Sequence, residues 1–276
     1  MGVALPSELG GRGFQMIRAA VLGSPISHSL SPKLHTAAFE FLRIEGSYEA
    51  IEVDEAGLVD FIESIDLQDW SGFSLTMPLK EKVLQIADVV DPIASRIQSA
   101  NTLLMDGNTT YATSTDYLAF KTILAAKEYS RVVVIGGGGT ARAALGAIDG
   151  TVATVEILLR NPAQRQALQN CLLETEAVFR ELTHEIADYD LIISTTPKGA
   201  SDEIAARIHQ PKGELIEVLY SPWPTDLAHR WLSLNLSVID GIDLLVEQGL
   251  EQLKLFTKLD FDLPALRKHL LLALRA

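Results

Sequence analysis

Cysteine is all but missing. Cys171 is the single thiol in 276 residues, so no internal disulfide can form and the chain suits a reducing compartment. It falls in the stretch 164–173, which reads as helical, and is expected to be a packed or half-exposed thiol rather than a nucleophile. Basic residues are scarce as well, 23 against 36 acidic for a formal charge of −13, and they form no run. A net-acidic surface without a basic patch excludes nucleic acid and anionic membrane as expected partners. No apolar run reaches the roughly 18 residues a membrane span needs, and the first fifteen residues lack the charged-then-apolar order of a signal peptide. The expected location is therefore cytoplasmic. The six histidines are scattered, with no cluster at ligand spacing beside Cys or carboxylates, so no metal is expected. Internal repeats and low-complexity segments are also lacking.

What is present is a 47% hydrophobic composition, enough for a large core in one or two domains, with two expected. Residues 1–15, Gly-rich and aperiodic, precede a second methionine, Met16, and read as an extension outside the fold. From residue 18 onward strands and helices alternate, which predicts an α/β fold with mainly parallel pairing. Strands are expected at 18–23, 48–53, 72–77, 100–104 and 109–114, the last two joined by the hairpin turn Asp106-Gly107-Asn108. Further strands are expected at 131–135, 152–159, 190–196, 214–220 and 237–239, and Gly241 and Leu263 open two closing helices.

The stretch Arg131-Val-Val-Val-Ile-Gly136-Gly137-Gly138-Gly139-Thr140-Ala141 reads as strand, tight turn and helix start with the spacing G-x-G-x-x-A. Gly136 and Gly138 would let the backbone approach a pyrophosphate, and Ala141 lets the new helix pack closely on the strand. The free N–H groups and positive dipole end of that helix favour an anion. The following strand ends at Arg160, with Arg165 about a turn later. A basic residue there accommodates the 2′-phosphate of NADP, whereas NAD sites place Asp or Glu; Glu156 lies too far back along the strand to serve.

Earlier in the chain, Ser29 and Ser31 sit at a predicted helix start with Pro32. They suit a carboxylate, or simply cap the helix with Ser31 as N-cap. Lys80 follows a strand end, where α/β folds bind ligands, but the same position suits a solvated lysine. Asp116 is placed to cap the helix that begins at Tyr117.

In order along the chain, Gly23-Ser-Pro-Ile-Ser-His-Ser-Leu-Ser-Pro, Leu75-Thr-Met-Pro-Leu-Lys80, Ser99-Ala-Asn101-Thr, Ser114-Thr-Asp116, the Gly136–Ala141 turn, Ser194-Thr-Thr-Pro-Lys-Gly and Asp240-Gly-Ile-Asp-Leu-Leu-Val-Glu-Gln248 resemble the shikimate dehydrogenase family, which reduces 3-dehydroshikimate with NADPH in aromatic amino-acid biosynthesis. The match runs from Ala19 to about Thr257. It implies a substrate domain of residues 16–116 and 240–276, a Rossmann-type NADP domain of residues 117–239, and C-terminal helices that return to the first domain. It further implies that Lys80 and Asp116 are the catalytic pair, and that Ser29 and Ser31 hold the substrate carboxylate. Thr76, Asn101, Asp116 and Gln248 then contact ring hydroxyls, with Tyr220 lining the cleft. NADP falls to Gly136, Gly137, Gly138, Gly139, Thr140, Ala141, Arg160, Arg165, Thr195, Thr196 and Gly241. The implied partners are a small-molecule substrate and, at most, a second copy of the chain, as monomer or homodimer.

Hydride delivery to a ketone develops an alkoxide, which needs a cation and a proton donor beside it, as a lysine paired with a carboxylate provides. The chain departs from the usual pattern at Ser74, Ser114, Tyr117 and Ser194, and at Leu159-Arg160-Asn161. These departures bear on substrate and cofactor preference more than on the reaction. A quinate/shikimate dehydrogenase, or a paralogue acting on a related cyclic hydroxy acid, is the nearest alternative. A non-catalytic dinucleotide sensor is the alternative from another class.

Overall fold

Residues 16–276, those described by the computed structural model, arrange their strands in two six-stranded sheets; the expected extension over 1–15 lies outside them. The first sheet comprises β1 (Ile17–Gly23), β2 (Gly46–Glu52), β3 (Gly72–Leu75), β4 (Val89–Val90), β5 (Thr102–Asp106) and β6 (Thr109–Thr113), in the order β2-β1-β3-β5-β6-β4. β1 pairs in parallel with β2 and β3, whereas β5 runs antiparallel to both β3 and β6. β4 is parallel to β6, so three of the five pairings in this sheet are parallel, as expected, and the two antiparallel ones both involve β5. Asp106-Gly107-Asn108 reverses the chain at once, with Gly107 at φ 63°, and so short a link can join only antiparallel neighbours.

The second sheet comprises β7 (Val132–Ile135), β8 (Thr154–Leu158), β9 (Glu176–Arg180), β10 (Leu191–Ser194), β11 (Glu214–Glu217) and β12 (Val238–Ile239). Its order β12-β11-β10-β7-β8-β9 is parallel throughout, the 3-2-1-4-5-6 arrangement counted from β7. The strand order reverses between β7 and β10, which places the crevice of a doubly wound sheet beside the Gly136 turn and Thr195-Thr196.

Both faces of each sheet are covered, which is why the central strands are continuous apolar runs. Val134, Ile157 and Ile193 pack with Ala143, Ala144 and Leu145 of the Gly139–Ile148 helix, while Val133, Ile135 and Ile192 pack with Ile204, Leu227 and Trp231 on the opposite face. In the first sheet Ala20, Leu22 and Phe73 meet Leu58, Leu79 and Val83, and Ala19 and Val21 meet Leu34, Leu250, Leu253, Leu266 and Leu270. The last four leucines belong to the helices Gly241–Thr257 and Leu263–Arg275, so the C-terminal helices return to the first sheet as expected. β9 and the helices Asp202–Arg207 and Asp226–Ser233 lie where no element is predicted.

Helix starts also refine the sequence reading. Asp91 caps its helix by accepting from Ile93 and Ala94 N–H, and Asp240 forms a capping box with Asp243. Ser31 is the first residue of the Ser31–Leu42 helix rather than its cap. Leu30 holds the cap position without a capping side chain, and Ser29 Oγ accepts from Ser31 N–H at 3.3 Å.

Candidate active site

Strand polarity gathers the candidate residues. β1 and β3 run toward one edge of the first sheet, where they release the loop to Ser29 and Ser31 and the segment Thr76 to Lys80. Antiparallel β5 begins at that same edge, which brings Asn101 there, and β6 ends there, which brings Asp116. Two backbone bonds fix this register: Leu75 N–H to Asn101 O at 2.8 Å and Ala100 N–H to Lys80 O at 2.9 Å. The Gly241–Thr257 helix supplies Gln248 and Gln252 from above. The result is a cavity of about 180 Å³ lined by Ser29, Ser31, Ser74, Thr76, Lys80, Asn101, Asp116, Thr140, Tyr220, Gly241, Gln248 and Gln252. All seven expected substrate contacts lie in this lining, and so do Thr140 and Gly241 from the expected cofactor set.

Lys80 Nζ is 2.6 Å from Asp116 Oδ2, with 17% and 9% of the two side chains exposed. Asp116 is therefore not the helix cap that its position suggested. Ser114 takes that role by accepting from Tyr117 N–H at 3.3 Å, which leaves Asp116 in the first turn with its carboxylate turned to Lys80. Asn101 Nδ2 donates to Asp116 Oδ1 at 2.9 Å and lies 3.2 Å from Gln248 Oε1, while its Oδ1 accepts from Thr115 N–H at 2.7 Å. The carboxylate is thus held at both oxygens. Lys80 Nζ also lies 3.4 Å from Thr140 Oγ1, at the start of the glycine-turn helix, so the pair sits where the two sheets' halves meet. Gly139 permits that approach, since a Cβ there would stand 2.7 Å from Ser99 Oγ and 3.3 Å from Lys80 Cδ. Tyr220 closes the cavity beside Leu30, and burial pushes its phenol above the ordinary tyrosine range.

The floor carries Gln252, which the sequence reading did not single out, and Ser74, which it named only as a departure bearing on substrate preference. Ser74 bonds Tyr48 Oη at 2.6 Å and Gln252 Oε1 at 2.9 Å, and Gln252 also meets His35 Nε2 at 3.2 Å. The spacing of Gln252 four residues beyond Gln248, on one helix face, was the available signal. Burial lowers the His35 pKa to about 3, with its bond to Gln252 acting in the opposite direction.

At the glycine turn, Gly136 adopts φ 119°, and a Cβ there would collide with the Thr195 hydroxyl. Thr195 Oγ1 donates to Ile135 O at 2.9 Å, so this hydroxyl ties the turn together, while the buried Thr196 hydroxyl has no partner among the described residues. Gly138 precedes the ten-residue Gly139–Ile148 helix, and no described atom lies within 4 Å of where its Cβ would be, so the turn presents bare backbone to open space. Arg160 lies two residues past β8, exposed and without an ion pair among the described residues. Arg165 is exposed over the Phe179 ring at 5.4 Å. Glu156 is engaged by Arg180 at 2.6 Å. An open backbone turn, a helix N-terminus and a free guanidinium fit a phosphorylated dinucleotide. Gly241 has a packing reason of its own, since a Cβ there would clash with the Val218 carbonyl.

Fold and cleft together define a two-sheet α/β protein of the dinucleotide-dependent oxidoreductase class. Comparison with known proteins narrows this. The family model described as shikimate dehydrogenase substrate binding domain matches residues 21–103. A relative named shikimate dehydrogenase (NADP(+)) from Clostridium beijerinckii is 30% identical over 254 residues, covering 88% of this chain and 92% of its own. The structure of Mycobacterium tuberculosis shikimate dehydrogenase superposes with a TM-score of 0.83 at 32% identity, covering 92% of this chain and 98% of that one. A Thermus thermophilus shikimate 5-dehydrogenase, solved with NADP(H) and shikimate, gives 0.79 at 31% identity over 94% and 100%. The chain belongs to the shikimate dehydrogenase family.

Proposed function

We propose that this protein is an NADP-dependent shikimate dehydrogenase, catalysing the reversible reduction of 3-dehydroshikimate to shikimate. The observation that carries the reading is the Lys80–Asp116 pair at 2.6 Å, held on the wall of the cleft and in reach of the glycine-turn helix at Thr140. In this reading residues 16–116 and 240–276 bind substrate and residues 117–239 bind the cofactor. Ser29 and Ser31, at the start of a twelve-residue helix, hold the carboxylate. Thr76, Asn101 and Gln248 orient the ring, and Tyr220 covers it.

NADPH held by the Gly136–Ala141 turn, Thr195, Thr196, Gly241, Arg160 and Arg165 would supply a hydride. Lys80 stands beside the carbonyl oxygen, where its charge stabilises the developing alkoxide and its proton completes the alcohol; in oxidation the same nitrogen takes that proton back. Asp116, itself fixed by Asn101, orients Lys80. The protein works in the cytoplasm as a monomer or homodimer; among the described residues no helix is long and apolar enough to cross a membrane.

Ser74, standing where the family commonly has Asn, keeps quinate in view as a second substrate. Steady-state assay of shikimate and quinate, each with NADP and NAD, tests the reading. Shikimate with NADP should be the best of the four pairs. A dominant quinate/NAD activity would reassign the enzyme, and no turnover with any pair would favour a binding role.

A further inference from the structure

Hydrogen-bond direction in the floor of the cleft can be deduced one group at a time. Gln252 lies 3.3 Å from the Asn101 main-chain carbonyl and 3.0 Å from Thr102 Oγ1 through one atom of its amide, and 2.9 Å from Ser74 Oγ and 3.2 Å from His35 Nε2 through the other. A carbonyl only accepts, so the atom facing Asn101 is the nitrogen and the atom facing Ser74 and His35 is the oxygen. That oxygen also only accepts. Ser74 must therefore give it its single proton, and His35 must carry its hydrogen on Nε2. Burial keeps His35 neutral through the physiological range, and its Nδ1 has no partner among the described residues. Tyr48, buried and stacked on His35 at 4.0 Å, has the hydroxyls of Ser74 and Ser31 beside its phenol; with the Ser74 proton already given to Gln252, the 2.6 Å contact between Tyr48 Oη and Ser74 Oγ must be bridged by the Tyr48 proton. Ser74 has one donor and two lone pairs. The donor is engaged by Gln252 and one lone pair by Tyr48, so a lone pair alone is left to face the cavity that Ser74 lines.

We propose that Ser74 is a specificity-determining residue and Gln252 its positioning residue: the amide of Gln252 holds the Ser74 hydroxyl as a hydrogen-bond acceptor toward the substrate, so that the site requires a proton-donating hydroxyl at one ring carbon. This rests on the reading of the cleft as a shikimate site and adds to it the direction in which one substrate hydroxyl is read. A group of the same size that cannot donate, such as fluorine, would face an acceptor with nothing to offer it, and the buried lone pair would go unmatched. The neighbouring groups do not supply the same test, because Lys80, Thr76 and the Gln248 amide can each donate to such a substituent.

The experiment compares shikimate with two analogues in which one or the other of the hydroxyls that are not oxidised is replaced by fluorine, using NADP and the intact protein. The unsubstituted chain should lose about 2- to 10-fold in kcat/KM for at least one analogue, the range of one neutral hydrogen bond. Ser74→Ala should remove that particular preference, Ser74→Thr should restore it, and Gln252→Leu, which frees the Ser74 proton to turn to the cavity, should reduce it. Because each figure is a ratio between two substrates on one preparation, a variant that merely lowers the amount of folded enzyme does not move it. Fluorine penalties that persist undiminished in Ser74→Ala overturn the proposal while leaving the shikimate reading intact. An unsubstituted chain that does not turn over shikimate at all refutes that reading and, with it, this proposal.

Discussion

His35 offers a stability test that is independent of catalysis. It is wholly buried, stacked on Tyr48, flanked by Phe39 and Phe256, and bonded to Gln252, with no charged group among these contacts. Burial moves its pKa from 6.5 down to about 3. Below pH 6.5 the unfolded chain binds a proton there and the native chain does not, so stability falls as the pH drops from 6.5 toward 3 and levels off below that. Each pH unit in this window costs about 1.4 kcal/mol, so at pH 5 the penalty is about 2 kcal/mol relative to pH 7.5. His35→Gln keeps a donor toward Gln252 and a similar volume but cannot titrate. Urea unfolding of both proteins at pH 7.5 and pH 5 should show the unsubstituted chain losing about 2 kcal/mol more than the variant. Parallel losses would mean that the native chain takes up a proton at His35 about as readily as the unfolded one, and the account of a buried neutral His35 would fail.

Arg160→Ala should lower kcat/KM for NADP by roughly 10- to 100-fold, one charge-assisted contact of about 1.5–3 kcal/mol, and leave NAD nearly unchanged; equal losses for both cofactors would assign Arg160 to the fold or to the adenine pocket. Ser29→Ala and Ser31→Ala should each raise KM for shikimate by a similar factor with kcat little changed, because the carboxylate is bound alike in ground and transition states. An unaltered KM in both folded variants refutes the carboxylate assignment.

Most of this architecture was legible because long-range order here follows local pattern. The runs at 18–23, 131–135 and 190–194 are apolar on both faces, as strands buried between helices must be, and glycine and proline mark their ends. β9 escaped notice because Glu-Ala-Val-Phe-Arg is a short edge strand whose exposed ends mimic a loop. Asp116 was harder still. Its sequence position suits a cap, and only the meeting of β6 with the Lys80 segment, 36 residues earlier, shows that Ser114 does the capping. The floor formed by Tyr48, Ser74, His35 and Gln252 joins residues up to 217 positions apart, a relation that no local period encodes.

The proposed mechanism has Lys80 act on charge that develops only during reaction, and kcat for shikimate oxidation by Lys80→Ala with saturating NADP tests this most directly. A fall of about 10²–10⁴, with shikimate still bound by the serines, is the predicted result. An unchanged kcat would make Lys80 a structural partner of Asp116 and contradict the mechanism.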